Sequence, residues 1–201
     1  MHRSRLRLLV AGAIGLLAAA GAAAAAPDRA HAVADLRQCD VALHDAAEAT
    51  GVPARLLLAL APVESGVGSR TGRIYPWPWT LNINGGGSYH FRSRAAAERY
   101  LDALIAAGID NVDVGCLQVN WHWHGPAFTS PAAALTPALN AQYAALLLRK
   151  YRAQTGTWFG AVGLYHSHDP RLAEVYRCRV ARALAPSAKI RGCVDARRSR
   201  S

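Results

Sequence analysis

A glutamate closing an apolar helix, two carboxamides two residues apart and a phenol beside an imidazole are the side chains of this chain with chemistry to offer. Glu64 stands in Ala61-Pro62-Val63-Glu64-Ser65-Gly66. The C-terminal end of a helix carries partial negative charge, and the neighbours of Glu64 are aliphatic. Both surroundings disfavour the ionised carboxylate and raise its pKa. A carboxyl group that keeps its proton near neutral pH is what a general acid requires. Taken alone, the same residue reads equally well as a surface glutamate in a last helical turn. Gln118 and Asn120 lie among apolar residues in Asn111-Val112-Asp113-Val114-Gly115-Cys116-Leu117-Gln118-Val119-Asn120-Trp121. Buried amides need partners: in a cleft they hold hydroxyl and acetamido groups of a ligand, elsewhere they brace a loop. The third group, Tyr165-His166, ends the apolar turn Ala161-Val162-Gly163-Leu164-Tyr165-His166-Ser167. A phenol there can hydrogen-bond a carboxyl and fix its rotamer, or sit satisfied in a core.

Helices must carry the first and third of these groups. Residues 35–49 form a helical stretch stopped by Gly51. Pro53 suits a first helical position, and a helix over 53–64 follows, with Leu56, Leu57, Leu60 and Val63 at helical spacing. Between Pro76 and Phe91 the period changes to two. Trp79, Leu81 and Ile83 alternate, Asn84-Gly85-Gly86-Gly87 turns, and Tyr89 and Phe91 alternate again, a β-hairpin. Ser93 caps a helix over 94–107 closed by Gly108. Thr136-Pro137 opens a long helix to about Gln154, residues 158–167 make a short apolar one, and Asp169-Pro170 opens the last, to about Ala185.

The chain has 201 residues and 21.4 kDa, room for one domain with tails. It is 52% hydrophobic, enough for a real core and too much for a disordered chain. Much of that fraction is Ala, which favours helix. The net charge of +10 suggests a nucleic-acid binder until it is mapped. Residues 1–32 hold Arg3, Arg5, Arg7 and Arg29 against Asp28, and residues 177–201 hold eight basic residues against Asp195, so residues 33–176 are neutral. A nucleic-acid reader carries its charge on the folded surface, and that class is set aside.

The basic start Met1 to Arg7, the uncharged run 8–26 and Ala30-His31-Ala32 have the layout of a secretory signal peptide cleaved after Ala32. Ala24-Ala25-Ala26 is a second, less favourable cleavage pattern because Pro27 follows it, and a retained membrane anchor is the alternative reading. The expectation is a periplasmic or secreted protein. Four cysteines remain, Cys39, Cys116, Cys178 and Cys193. An even count in an exported chain suggests disulfides, and four cysteines allow three pairings.

In this order, the stretches 58–66, Tyr75-Pro76-Trp77-Pro78-Trp79-Thr80-Leu81-Asn82, 111–120 and 161–167 resemble the SLT-domain lytic transglycosylases of the goose-lysozyme-like superfamily, small secreted members above all. The resemblance covers residues 39–176. It implies a mainly α, α+β lysozyme-like fold with a glycan cleft; the residue pattern itself gives a single helical domain over 33–186 with one small hairpin and a basic tail over 187–201. It implies Glu64 as the single catalytic acid, Tyr165 as the residue positioning it, and Ser65, Asn82, Gln118, Asn120 and His166 as glycan contacts. Trp79 and Trp121, beside the motifs, are the aromatics expected to stack on pyranose rings. The implied substrate is peptidoglycan, cut between N-acetylmuramic acid and N-acetylglucosamine with closure of a 1,6-anhydro ring. No metal and no cofactor are implied. The partners would be glycan strands and an envelope-spanning secretion or conjugation system, the protein acting as a monomer. Similar sequences favour Cys39–Cys116, leaving Cys178–Cys193 to close a short loop, with a buried free thiol at Cys116 as the alternative. Two departures stand out. Pro62 removes a backbone donor within the helix that carries Glu64, and His166 stands where many relatives have Asn.

Three rivals remain. His122/His124 and His166/His168 are H-x-H pairs that suit a metallohydrolase. A wall-binding assembly factor would hold glycan without cutting it. A muramidase-type hydrolase would need an activated water and often a second carboxylate, for which Asp113 is the nearest candidate, though it also suits a loop brace.

Overall fold

The computed structural model describes residues 29–69, 71–84, 86–187 and 193. The expected leader up to residue 28 and the basic tail from 188, Cys193 apart, lie outside the described residues. Helix α1, Arg29–Thr50, begins within the expected leader, so Ala30-His31-Ala32 falls in its first turn. Among the described residues no helix is long and apolar enough to cross a membrane.

The elements follow in chain order. Helix α2, Ala54–Ser65, leads to a short antiparallel pair, β1 (Gly66–Gly68) and β2 (Ile74–Pro76). The hairpin of β3 (Thr80–Ile83) and β4 (Gly87–His90) precedes α3 (Arg94–Ala106). Two short strands, β5 (Val112–Val114) and β6 (Val119–Asn120), are followed by α4 (Trp121–His124), a 3-10 turn (Gly125–Ala127) and α5 (Pro131–Ala134). Three helices close the chain: α6 (Pro137–Thr155), α7 (Trp158–His166) and α8 (Pro170–Leu184).

The molecule is therefore mainly helical with a small antiparallel component, as the sequence pattern predicts. The sheet is larger than the single hairpin expected. β5 and β6 extend it to four strands in the order β4-β3-β5-β6. They are three and two residues long, too short to show an alternation in sequence. The helix boundaries are set by local chemistry. Ser93, Thr157 and Asp169 side chains accept from backbone N–H groups in the first turns of α3, α7 and α8. Gly156 ends α6 in the left-handed region at φ 72°.

Two apolar clusters result. One gathers α1, α2, α6, α7 and α8 around Leu43, Leu57, Leu60, Leu148 and Val180, with small residues such as Ala46, Ala141 and Ala144 letting the helices approach. The other lies under the sheet, where Leu81, Val112 and Val114 meet Ala97, Leu101 and Leu104 of α3. The structure contains both expected disulfides, Cys39–Cys116 and Cys178–Cys193. The first ties α1 to the turn between β5 and β6.

Candidate functional site

Glu64 sits in the last turn of α2, at the floor of a cleft of about 810 Å³. Pro62 lies inside that helix, yet the helix runs on to Ser65. The buried Ser65 hydroxyl donates to the Cys116 carbonyl at 2.8 Å and holds the helix end to the sheet turn. A Cβ on Gly66 would overlap the Pro62 carbonyl and the Ile74 side chain, so only glycine lets β1 leave so closely against the turn bearing Glu64. Ser65 is thus a buried brace rather than the glycan contact expected of it.

Burial pushes the Glu64 carboxyl up to about 7; a hydrogen bond from Tyr176 works against that rise, the Asp113 carboxylate adds to it, and Arg179 also opposes it. The Tyr176 hydroxyl donates to Glu64 Oε1. Tyr176 is a buried residue of α8 whose own pKa is raised well above the ordinary range, first by burial and next by Glu64, so it stays a phenol and a donor. Its bond to Oε1 leaves Oε2 to carry the acidic proton.

This overturns the role expected of Tyr165. Its hydroxyl donates to the Leu117 carbonyl at 2.6 Å, not to Glu64, although its ring also lines the cleft. Sequence reasoning missed Tyr176. Ala173, Tyr176 and Val180 form the buried stripe of α8, so periodicity marks Tyr176 as core only. The His166 ring stacks on Tyr176 at 4.3 Å, with the planes 9° apart, and faces the cleft.

The opposite wall is the polar face of the sheet. Pairing sets Asn82 opposite Asp113 and Asp113 opposite Asn120, so the three side chains form one row across β3, β5 and β6. Asn120 Nδ2 donates to Asp113 Oδ1 and to Asn111 Oδ1, each at 2.8 Å, and Asn82 Nδ2 reaches Asp113 Oδ2 at 3.5 Å. Burial raises the Asp113 pKa and the two amides oppose the rise. Asp113 therefore braces its strands, as one of its two expected roles has it, and it also lines the cleft with Glu64.

Gln118 has the one left-handed non-glycine backbone among the described residues, at φ 48°. Its Nε2 donates to the Gly115 and Thr80 carbonyls at 2.8 and 3.1 Å, which fixes the amide orientation. Oε1 is buried without a partner, beside the cleft. A left-handed backbone and a buried acceptor without a protein partner mark this turn as strained.

The aromatics are distributed differently from expectation. Trp79 is 3% exposed, part of the core beneath the sheet. Trp121 packs against that core and over Gly125, outside the main cleft. Trp123 instead lines the cleft. The four histidines of the H-x-H pairs take separate partners. His122 Nδ1 bonds Asp110 Oδ2 at 2.9 Å, His124 Nδ1 bonds the Tyr143 hydroxyl at 3.0 Å, His166 stacks on Tyr176, and His168 meets Tyr151 edge-on. Among the described residues no group of three or more His, Cys, Asp or Glu converges in a way that would hold a metal ion. Comparison with family models, with curated proteins and with solved structures finds no match to this chain.

Proposed function

We propose that the chain is a lytic transglycosylase that cuts the glycan of peptidoglycan, with Glu64 as acid and then base. One observation carries the reading. A half-buried carboxyl with a pKa near 7 is held on one oxygen by Tyr176 and faces a row of carboxamides across the cleft. Glu64 Oε2 gives its proton to the glycosidic oxygen, and the bond to the muramic acid C1 breaks. The substrate's N-acetyl oxygen shields the cationic carbon, as in substrate-assisted glycosidases. Glu64, now ionised, takes the proton of the C6 hydroxyl while that oxygen bonds C1, which closes the 1,6-anhydro ring and restores the acid. The Asn82 and Asn120 carboxamides of the cleft lining suit acetamido and hydroxyl groups. The absence of Lys and Arg from the described cleft lining suits a sugar backbone without phosphates better than nucleic acid. Two disulfides suit an oxidising compartment.

A second reading has its own observation. Asp113 lines the same cleft as Glu64, and a second carboxylate is what a muramidase-type hydrolase needs to activate water. Mass spectrometry of the products from purified sacculi separates the two. Anhydro-muropeptides are expected, absent with Glu64→Gln. Reducing muramic acid ends would establish the hydrolase, and intact sacculi would remove both readings in favour of a binding protein.

A further inference from the structure

We infer that Trp123 is a stacking platform for a sugar ring at the mouth of the cleft, which extends glycan binding beyond the rings that Glu64 and the carboxamide row engage. The inference rests on the glycan reading above and adds a subsite to it. Trp123 is 72% exposed, the most exposed large apolar side chain among the described residues, and it lines the cleft rather than an outer surface. An indole left in water at a cleft edge costs solvation unless something covers it.

The backbone at Trp123 is tied to the site, and its ring has one edge contact. The Trp123 backbone N–H donates to Asn120 Oδ1 at 3.2 Å, and the same carboxamide binds Asp113 and Asn111 through Nδ2. One side chain thus links the polar row to the backbone that carries the indole. The His122 imidazole meets the Trp123 ring edge-on at 4.6 Å and 90°, and is itself tied to Asp110. A braced aromatic face loses little entropy when a ligand settles on it. The occupant follows from the surroundings. A flat apolar face beside hydroxyl- and amide-binding side chains fits the axial C–H face and equatorial polar groups of a pyranose. A nucleobase would also stack, but its phosphates would find no cation among the described lining residues.

The test is binding of N-acetylglucosamine oligomers of two to six units to Glu64→Gln protein by calorimetry, with Trp123→Ala and Trp123→Tyr introduced into that background. The loss from Trp123→Ala is expected to grow with oligomer length, to roughly 3–10-fold for the hexamer, and Trp123→Tyr is expected to recover most of it. Because the indole is exposed, circular dichroism and melting of the variants should match the parent. Oligomer binding by the parent with equal affinity for Trp123→Ala at every length would overturn the platform alone. A loss of the same size at every length would overturn it too. No binding to the parent at any length would overturn the glycan reading with it.

Discussion

At the scale of single residues, the catalytic proposal turns on what sets the Glu64 proton. Tyr176 and Asp113 pull in opposite directions, and that makes them separable. The Tyr176 hydrogen bond favours the ionised carboxylate, so Tyr176→Phe should raise the Glu64 pKa and move the alkaline limb of kcat/KM to higher pH, while misplacement of the acid lowers the rate roughly 10–100-fold. Asp113→Asn removes a neighbouring negative charge and should move the same limb below 7. Shifts of one sign in both variants would contradict the geometry. Stability carries the same signature. The unfolded carboxyl ionises from about 4.5 and the folded one only near 7, so between these values the unfolded state binds fewer protons and stability falls as pH rises. Glu64→Gln keeps an acceptor for Tyr176 without the charge. It should therefore stabilise the protein at pH 8 by an amount of the order of 3 kcal/mol and make little difference at pH 4, a contrast that urea melts at the two pH values would reveal.

At the scale of elements, the turn from β5 to β6 decides where Gln118 points, and a buried side chain of another helix decides that turn. Asn140 of α6 is fully buried. It accepts from the Leu117 N–H at 2.9 Å and donates to the Val114 and Ala134 carbonyls at 2.8 and 3.0 Å. Gly115 bends there at φ +81°, and a Cβ on it would lie 2.8 Å from the Asn140 amide. Asn140→Ala would leave three buried backbone groups unpaired. It should cost about 3–5 kcal/mol by chemical denaturation, and Asn140→Asp no less at neutral pH, because a buried carboxylate would face the Val114 and Ala134 carbonyls with no donor between them. The sequence shows the six longer helices because caps, Pro and Gly mark their ends within a few residues, and it places the β3–β4 turn at its glycines for the same reason. It misses α4 and α5, whose four residues each are too few for a period. Asn140 was not legible, because its partners are 6 to 26 residues away and nothing in the sequence around it marks an amide as buried. Tyr176 failed likewise. A phenol on an apolar stripe looks like core until α8 is seen to lie across the end of α2.

At the scale of the whole molecule, the cleft is a junction. The acid comes from a helix end in the helical core, and its facing carboxylate and amides come from the sheet. Two links meet at Cys116 and fix the distance between them: the Ser65 hydroxyl on its carbonyl and the disulfide from Cys39. The other disulfide, Cys178–Cys193, closes only a short segment onto α8. The two bridges should thus differ in kind. With a sequence separation of 77, loss of Cys39–Cys116 costs about 4–5 kcal/mol by chain entropy, against about 3 kcal/mol for the separation of 15 in the second. The larger difference should appear in function. Replacing Cys39 and Cys116 by Ala loosens the sheet turn against α1 and lets Asp113 move relative to Glu64, so the alkaline limb of the pH profile should broaden or shift downward as the Asp113 contribution fades. Replacing Cys178 and Cys193 by Ala leaves both walls tied and should lower the melting temperature without moving that limb. If both double variants kept the parent pH profile and differed only in stability, Asp113 would be fixed by the strand pairing and its amides alone, and the bridge would be a staple for the fold with no part in setting the acid.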